Sequence, residues 1–318
     1  MFGDWGKNWG MISVQQAKRT ERLMRALTSL TVAEFEALAR QLDREWSALR
    51  AAQTVAGTIR QRQPGGGRKG CLASGEAKLF FILFYYKVYP TQDVMGLLFG
   101  ITQGQVSDWV GRLTAVVGQL LPLHRPARKA RQLAQVLAEQ PELQELIIDG
   151  TERRLPRPQH RGKQKRFYSG RKKRHAVKNV ILVAGGRKRR RKVVWCSPTV
   201  PARRHDKAVA EAERLRLPAP MDLLGDSGFE GLTAGAAGVV TPWKKPRGRK
   251  LHWKRRRFNR RLASHRIAVE HTLASVKRLR ILRDEFRNRR KGMVDEVMMI
   301  GCALHNYRCD WREQALAA

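Results

Sequence analysis

Residues 146–151 read Leu-Ile-Ile-Asp-Gly-Thr, so an acidic side chain, Asp149, directly follows a short apolar run. Residues 221–229 repeat this arrangement, with Asp226 two residues after the pair Leu223–Leu224. Short apolar runs bounded by glycine are typical of buried β-strands. Carboxylates at the carboxyl ends of strands lie at the sheet edge where ligands collect in open α/β folds. The two stretches therefore predict an α/β domain with both aspartates at one edge of its sheet.

The rest of the carboxyl-terminal half supplies the other parts of such a domain. Apolar and β-branched runs predict further strands, and a period near 3.6 residues predicts helices. Strands first, then a strand–helix alternation, then long helices indicate a mixed sheet flanked by helices. We place this domain at residues 140–315. Its further predicted elements are strands at 175–184, 193–195 and 239–240, a hairpin turn after Gly185–Gly186, and helices near 205–215, 258–282 and 293–311.

The amino-terminal region is predicted to be helical. Residues 14–61 carry apolar side chains at spacings of three and four, and Pro64–Gly67 interrupts that pattern like a linker. We assign residues 1–65 to a helical region that serves oligomerisation or DNA binding.

Residues 74–121 predict a helix-turn-helix. Two short helices are joined by a turn at Gly100, and Thr102 with Gln105 forms a capping box that opens the second of them. A plain helical hairpin is the alternative reading of the same pattern. We place a helix-turn-helix domain at 70–125, since recognition helices present their first residues to base edges. The residues so placed are Gln103, Gln105 and Ser107.

Net charge indicates the class of partner. The chain has 64 Lys and Arg against 27 Asp and Glu, a formal net charge of +37, and basic segments recur along most of it. A compact state with this charge repels itself unless a polyanion lies against it. Charge therefore favours a nucleic-acid partner, although a structural RNA-binding protein would share it.

Membrane, export and disulfide signals are missing from the sequence. The longest apolar run, Leu79–Tyr86, is far shorter than the roughly 20 residues that a spanning helix needs. The four cysteines include no Cys-x-x-Cys pair, and Cys302, His305 and Cys309 lack a fourth ligand at zinc spacing. We expect a cytoplasmic, nucleoid-associated protein with no membrane contact and no small-molecule substrate.

A third carboxylate, Glu270, lies in the long predicted helix. Asn259, Arg266, Glu270 and Lys277 are separated by seven, four and seven residues, which places them within about 40° of one another on one helical face. Such a face suits contact with metal and phosphate. An exposed face with an ordinary Arg266–Glu270 ion pair is the alternative.

These stretches together resemble the DDE transposases of bacterial insertion sequences, specifically the insertion-sequence-five family and its Harbinger-type eukaryotic relatives. The C-terminal signature of that family places an Arg four residues before the catalytic Glu and a basic residue seven after it, and it often begins with a Tyr where this chain has Ala263. The likeness covers roughly residues 70–310. The matching stretches are Ile148–Glu152, Tyr168–His175, His205–Lys207, Gly225–Phe229, and Asn259 with Arg266–Glu270 and Lys277.

The resemblance implies an RNase H-like domain in which Asp149, Asp226 and Glu270 bind two Mg²⁺ ions, with Mn²⁺ as a substitute. One ion would activate the nucleophile and the other would stabilise the leaving oxygen. Arg266 and Lys277 would hold phosphate. The implied activity is cleavage at the ends of the protein's own mobile element and strand transfer into target DNA, by a dimer or larger assembly on double-stranded DNA.

Further DNA contacts are predicted outside the carboxylates. The basic run Lys172, Lys173 and Arg174 with His175 precedes a strand, and Trp243 and Trp253 lie in basic segments where they could stack on bases. Trp195 is expected in the core. Asp206 is the alternative metal ligand. Alternative functions are a nuclease of the same fold without strand transfer and a domesticated, non-catalytic DNA-binding regulator.

Overall fold

The computed structural model describes residues 12–52, 59, 61, 72–185, 191–235 and 237–317. The predicted linker Pro64–Gly67 and the basic turn at 187–190 lie outside these residues. The chain divides into two compact units, Met1–Pro122 with Arg278–Ile281, and Leu123–Lys277 with Leu282–Ala318. The three regions drawn from the sequence, 1–65, 70–125 and 140–315, remain a prediction.

The described residues of the first unit are helical. The region predicted as helical from residue 14 forms three helices up to Ala52, because Thr20 caps a new helix and Ser29 has a left-handed backbone (φ 76°) that ends it. The helices are α1 (Val14–Lys18), α2 (Glu21–Thr28), α3 (Val32–Ala52), α4 (Gly75–Val88), α5 (Gln92–Phe99) and α6 (Gln103–Leu120).

The helix-turn-helix is built from α4 to α6. Gly100, with φ 65°, ends α5, and the Thr102–Gln105 capping box begins α6 as predicted. The ring of Phe99 packs edge-on against Phe81 with 4.9 Å between centroids, and it also contacts Phe80 and Phe84. Aromatic packing therefore fixes α5 against α4.

The second unit is built on a mixed sheet, which confirms the predicted RNase H-like α/β fold. The strands are β1 (Glu145–Arg154), β2 (Tyr168–Ser169), β3 (Arg174–Ala184), β4 (Val193–Cys196), β5 (Val200–Pro201), β6 (Asp222–Leu224), β7 (Thr233–Ala234) and β8 (Ala237–Val240). Their order is β2-β3-β1-β6-β8-β7, and β4 and β5 also pair with β3. β1, β6 and β8 are mutually parallel, whereas β3 is antiparallel to β1 and β4 is antiparallel to β3.

Helices cover both faces of this sheet. On one face Ile148 and Leu182 belong to a core that includes Leu133 and Leu137 of helix 130–138 and Val209 and Ala210 of helix 206–212. Trp195 is fully buried there as predicted. On the other face Asn306 donates to the carbonyl of Val193 and accepts from its N–H. The helices of this unit are α7 (Ala130–Ala138), α8 (Arg161–Phe167), α9 (Asp206–Ala212), α10 (Trp253–Val276) and α12 (Met293–Ala317), and the short helix α11 (Arg280–Arg283) contains residues of both units.

The structure corrects three predicted boundaries. β1 does not end at Asp149 but continues to Arg154, because β3 pairs with it along that whole length. α10 begins at Trp253 rather than near residue 258, so Trp253 is the first residue of a helix and not part of a loop. α10 also ends at Val276, and a separate short helix, α11, follows it.

No helix among the described residues has the length and apolar character needed to cross a membrane.

Candidate active site

Asp149 and Asp226 are neighbours because of the register of two parallel strands. The last pair between β1 and β6 is Ile147 with Leu224, and each aspartate lies two residues beyond its member of that pair. β6 ends there, whereas β1 continues beside β3. Asp226 therefore lies at the end of its strand as predicted, whereas Asp149 lies in the middle of β1, at the point where β1 loses β6 as a neighbour. Asp226 is fixed by accepting a hydrogen bond from the N–H of Gly228 at 2.8 Å.

The environment of Asp149 disfavours its ionised form. The pKa of this carboxyl is raised from 3.8 to about 6, chiefly by burial and also by the neighbouring carboxylates of Asp226 and Asp206. A hydrogen bond from the N–H of Gly150 at 2.9 Å and the charge of Arg266 act in the opposite direction. Carboxylates that crowd one another in this way gain stability from a bound cation.

Several buried polar atoms without partners belong to the residues that follow Asp149 in β1. Within the described part of the chain, four buried side-chain nitrogen or oxygen atoms lack a hydrogen-bond partner: Thr151 Oγ1, Glu152 Oε2, Arg153 Nε and Arg266 Nε. Three belong to the β1 residues that follow Asp149, and the fourth belongs to an arginine whose charge acts on it. Unsatisfied buried polar atoms are costly and rare. Because successive side chains of a strand point to opposite faces, Thr151 and Arg153 lie on the same face of the sheet as Asp149, and Glu152 lies on the other face with Lys178.

Helix α10 brings cations to this site. Arg266 acts on Asp149 through its charge, and Lys277, directly after the helix, lies with Nζ 3.5 Å from the carbonyl oxygen of Glu152. Burial lowers the pKa of Lys277, and the charge of Arg153 adds to this effect, whereas Asp149 opposes it. Two of the residues predicted on one helical face are thus close to Asp149.

Glu270 lies between Arg266 and Lys277 along the chain, and its side chain is exposed. No hydrogen bond or ion pair joins it to another of the described residues. Nor do those residues contain a group of three or more His, Cys, Asp or Glu side chains placed to hold a metal ion. The structure therefore brings together the two aspartates and leaves the predicted third carboxylate apart from them.

The donor atoms at the two aspartates fit a hard divalent cation. Mg²⁺ is held by oxygen, and it takes one or two carboxylates together with water and substrate phosphate. Asp149 and Asp226 supply two carboxylates beside a position where like charges repel one another. A metal ion at this edge is consistent with the residues present.

Asp206, the alternative ligand, already has a partner. As the first residue of α9 it accepts a hydrogen bond from the buried Lys178 at 2.8 Å, and Lys178 Nζ is also 3.7 Å from Glu152. The Asp206 carboxylate lies directly over Gly150, so a Cβ on that glycine would come within 2.8 Å of it. Lys178 was not among the residues predicted at the site, although a lysine within the apolar run 175–184 is a visible signal.

The predicted DNA-contact residues are largely at the surface. Gln103 and Gln105 are exposed at the start of α6 and Ser107 is half-buried, but the Gln105 side chain accepts a hydrogen bond from the Thr102 N–H as part of the cap. Lys172 and Lys173 precede β3 and Arg174 begins it; these three side chains are exposed, and His175 is half-buried.

The two tryptophans differ in how they are held. Trp243 is 51 % exposed, and the Arg255 guanidinium lies 4.3 Å from its ring centroid. The Asn259 side chain both accepts from the N–H of Trp243 and donates to its carbonyl, each at 2.9 Å. Asn259 therefore positions the Trp243 loop. This role differs from the predicted one, in which Asn259 lies on a helical face that contacts metal and phosphate. Trp253 is 55 % exposed beside Lys254.

Comparison with known proteins yields two family matches. Residues 148–306, half of the chain, match the DDE superfamily endonuclease family, and residues 70–122 match the helix-turn-helix of DDE superfamily endonuclease. The chain is 26% identical over 217 residues to a probable transposase for insertion sequence element IS702 from Microchaete diplosiphon, and the alignment covers 68% of this chain and 74% of that protein. No solved structure matches the chain.

Proposed function

Because the chain belongs to the DDE superfamily of endonucleases, we propose that it is a transposase of the insertion-sequence-five type. It binds the terminal inverted repeats of its own mobile element, cleaves the DNA there and joins the ends to target DNA. The observation that supports this most directly is the Asp149–Asp226 pair at the parallel edge of the sheet, where burial and mutual repulsion raise the pKa of Asp149.

We assign metal binding to Asp149, Asp226 and Glu270. Two Mg²⁺ ions, or Mn²⁺ in their place, would supply an activated nucleophile and charge stabilisation at the leaving oxygen. Asp149 and Asp226 are already adjacent through strand register. Glu270 would complete the set from α10, on the helical face that carries Arg266.

The chain's own cations position the DNA strand. Arg266 and Lys277 lie on either side of Glu270 along the chain, and their charges act on Asp149. A phosphate placed beside the aspartates would therefore meet a guanidinium fork and an ammonium group. Lys178 neutralises Asp206, which reduces the negative charge that the phosphate encounters.

DNA recognition is assigned to the helix-turn-helix and to the basic surface. Gln103, Gln105 and Ser107 at the start of α6 would read base edges, while the net charge of +37 supplies sequence-independent affinity. Pairing two element ends requires two active sites, so we propose a homodimer or larger assembly on double-stranded DNA.

The test is cleavage and strand transfer on a labelled duplex that carries the ends of the element encoding this chain, with Mg²⁺ or Mn²⁺. The variants are Asp149→Ala, Asp226→Ala and Glu270→Ala, with Asp222→Ala as a matched control. Asp222 is exposed at the start of β6, four residues before Asp226. DNA binding is measured separately for each variant.

We expect metal-dependent products from the wild type and the control, and none from the other three variants, with DNA binding retained. Loss of a metal-bound carboxylate that acts in the transition state lowers the rate by orders of magnitude. If the wild type cleaves the DNA ends but does not join them, the activity is that of a nuclease and not of a transposase. Activity that survives Glu270→Ala but not Asp206→Ala would replace Glu270 by Asp206 as the third carboxylate.

A further inference from the structure

A cleft of about 680 Å³ opens in the second unit at residues that the proposed active site does not use. No acidic side chain is among the described residues that line it. The lining combines three permanent cations with a tyrosine and a histidine: Arg157, Lys165, Arg203, Tyr168 and His175. Two of these residues, Tyr168 and His175, belong to the Tyr168–His175 stretch, to which the proposed function gives no specific task beyond general DNA contact.

Hydrogen bonds of the sheet hold the walls of the cleft in place. Tyr168 in β2 pairs with His175 in β3. The Leu155 N–H donates to the His175 carbonyl at 2.9 Å, and the Ala202 N–H donates to the Ala176 carbonyl at 3.0 Å. Arg157 lies two residues after Leu155, and Arg203 lies one residue after Ala202. The backbone next to both arginines is therefore held against β3, on its two sides.

The tyrosine ring is available to a ligand. Tyr168 is 42 % exposed, and the His175 ring meets it in a T-shaped arrangement with 5.6 Å between centroids. This contact holds the Tyr168 ring on one side. An aromatic ring supported in this way beside several cations suits a ligand that has both a flat π-system and negative charge.

The size of the cleft favours one small group over a duplex. Pockets of roughly 300–1,000 Å³ enclose single small ligands. A phosphate alone would leave the aromatic wall unused. A single nucleotide outside the double helix would use both the ring and the cations, with its base on Tyr168 and its phosphates beside the arginines.

The cleft lies along the strand that leads away from Asp149. Asp149 pairs with Ile181 of β3, and His175 is six residues earlier on the same strand, a distance of roughly 20 Å at about 3.3 Å per residue. A DNA strand with a rise of about 3.4 Å per nucleotide covers that distance in about six nucleotides. A strand that is cut at Asp149 could therefore reach the cleft with its flanking nucleotides.

We propose that this cleft binds an unpaired nucleotide of the DNA, with the base stacked on Tyr168 and the phosphates held by Arg157, Lys165 and Arg203. The inference rests on the proposed function insofar as DNA is the ligand. Its consequence is a preference for DNA that has a single-stranded segment over a fully paired duplex.

The test measures binding of the full chain by fluorescence anisotropy in EDTA, so that no cleavage occurs. The probes are a labelled duplex with a ten-nucleotide single-stranded overhang and the same duplex without it. The variants are Tyr168→Ala, Tyr168→Phe and Arg203→Gln. Arg131→Gln is the matched charge control, because Arg131 is exposed on α7 and does not line the cleft.

We expect the wild type to prefer the overhang DNA, and Tyr168→Ala to weaken binding of that DNA by roughly 5- to 100-fold through lost stacking. Tyr168→Phe should bind like the wild type, since it keeps the ring. Arg203→Gln should reduce the salt dependence of overhang binding, and Arg131→Gln should not.

Equal binding of the two probes by the wild type would overturn the proposal, as would equal losses on both probes in Tyr168→Ala. Competition by millimolar inorganic phosphate that removes the overhang preference would show that the cleft takes phosphate alone. Because binding is measured without metal, an inactive wild type would refute the proposed function and leave this result intact.

Discussion

Replacing Asp149 by Asn should stabilise the metal-free protein at neutral pH. Burial raises the pKa of Asp149 to about 6 in the folded chain, against 3.8 for the ordinary group. The folded state therefore favours the protonated carboxyl. Its contribution to stability is fully present below pH 3.8 and is lost as the pH rises through about 6. Asn keeps the shape of the protonated acid and carries no charge at any pH.

The magnitude follows from the size of the pKa change. A rise from 3.8 to about 6 corresponds to about 3 kcal/mol for the fully ionised group, at 1.36 kcal/mol per pH unit. At pH 5 about half of this free-energy difference is still present. Asp149 is only partly buried, and solvent screening reduces the expected gain at pH 7.5 to about 1–3 kcal/mol. That gain raises Tm by roughly 2–10 °C.

The assay is thermal unfolding followed by circular dichroism in EDTA at pH 7.5, 5 and 4, with Asp222→Asn as the control. The control should stay within about 0.5 kcal/mol of the wild type, since Asp222 is exposed. Added Mg²⁺ should raise the Tm of the wild type and leave Asp149→Asn unchanged. A lower Tm for Asp149→Asn at pH 7.5, or a gain that does not shrink towards pH 4, would refute the reasoning.

Three further changes test other parts of the structure. Lys178→Met removes the counter-charge of two half-buried acids, Glu152 and Asp206, and should lower the free energy of unfolding by about 3 kcal/mol in a urea titration. Thr102→Ala removes a cap of α6 and should cost about 1 kcal/mol, measured in the same way. Gly150→Ala places a methyl group 2.8 Å from the Asp206 carboxylate. The displaced carboxylate should lower the cleavage rate at least about tenfold with DNA binding unchanged, because small misplacements in a site are costly. Gly238→Ala, where the methyl group meets open space, should leave the rate unaltered.

The helix-turn-helix could be predicted because local rules determine it. Ser74, Thr91 and Thr102 each cap the helix that follows them, and Gly100 has the left-handed backbone that its position requires. Each of these signals spans four residues or fewer. They can be recognised without reference to the rest of the chain.

The length of β1 could not be predicted from local sequence. Gly150 and the charged residues after it are poor strand formers, so the pattern indicated an end at Asp149. Pairing with β3 continues the strand to Arg154, and the buried guanidinium of Arg153 donates to Asn179 and Thr199 on distant strands and loops. Partners this far apart in sequence leave no local signal.

The helical face on which Glu270 lies could be predicted from the sequence, but its distance from the two aspartates could not. Helical spacing placed Glu270 on the face that carries Arg266 and Lys277. The structure puts those two cations near Asp149 and leaves Glu270 exposed. Spacing determines which way a side chain points along a helix, whereas its distance from the sheet depends on tertiary packing.

The pairing of β1 with β3 on one side and β6 on the other affects how the protein unfolds under heat or denaturant. Backbone amides at the centre of a sheet exchange with solvent only when the whole unit opens, whereas loops open locally at little cost. Leu146 and Ile147 are paired in this way on both sides, and Asp149 follows them in the same strand with β3 as its neighbour. The strand therefore cannot fray up to Asp149, and amide exchange at residues 146–147 should report the opening of the whole unit, which also disrupts the site.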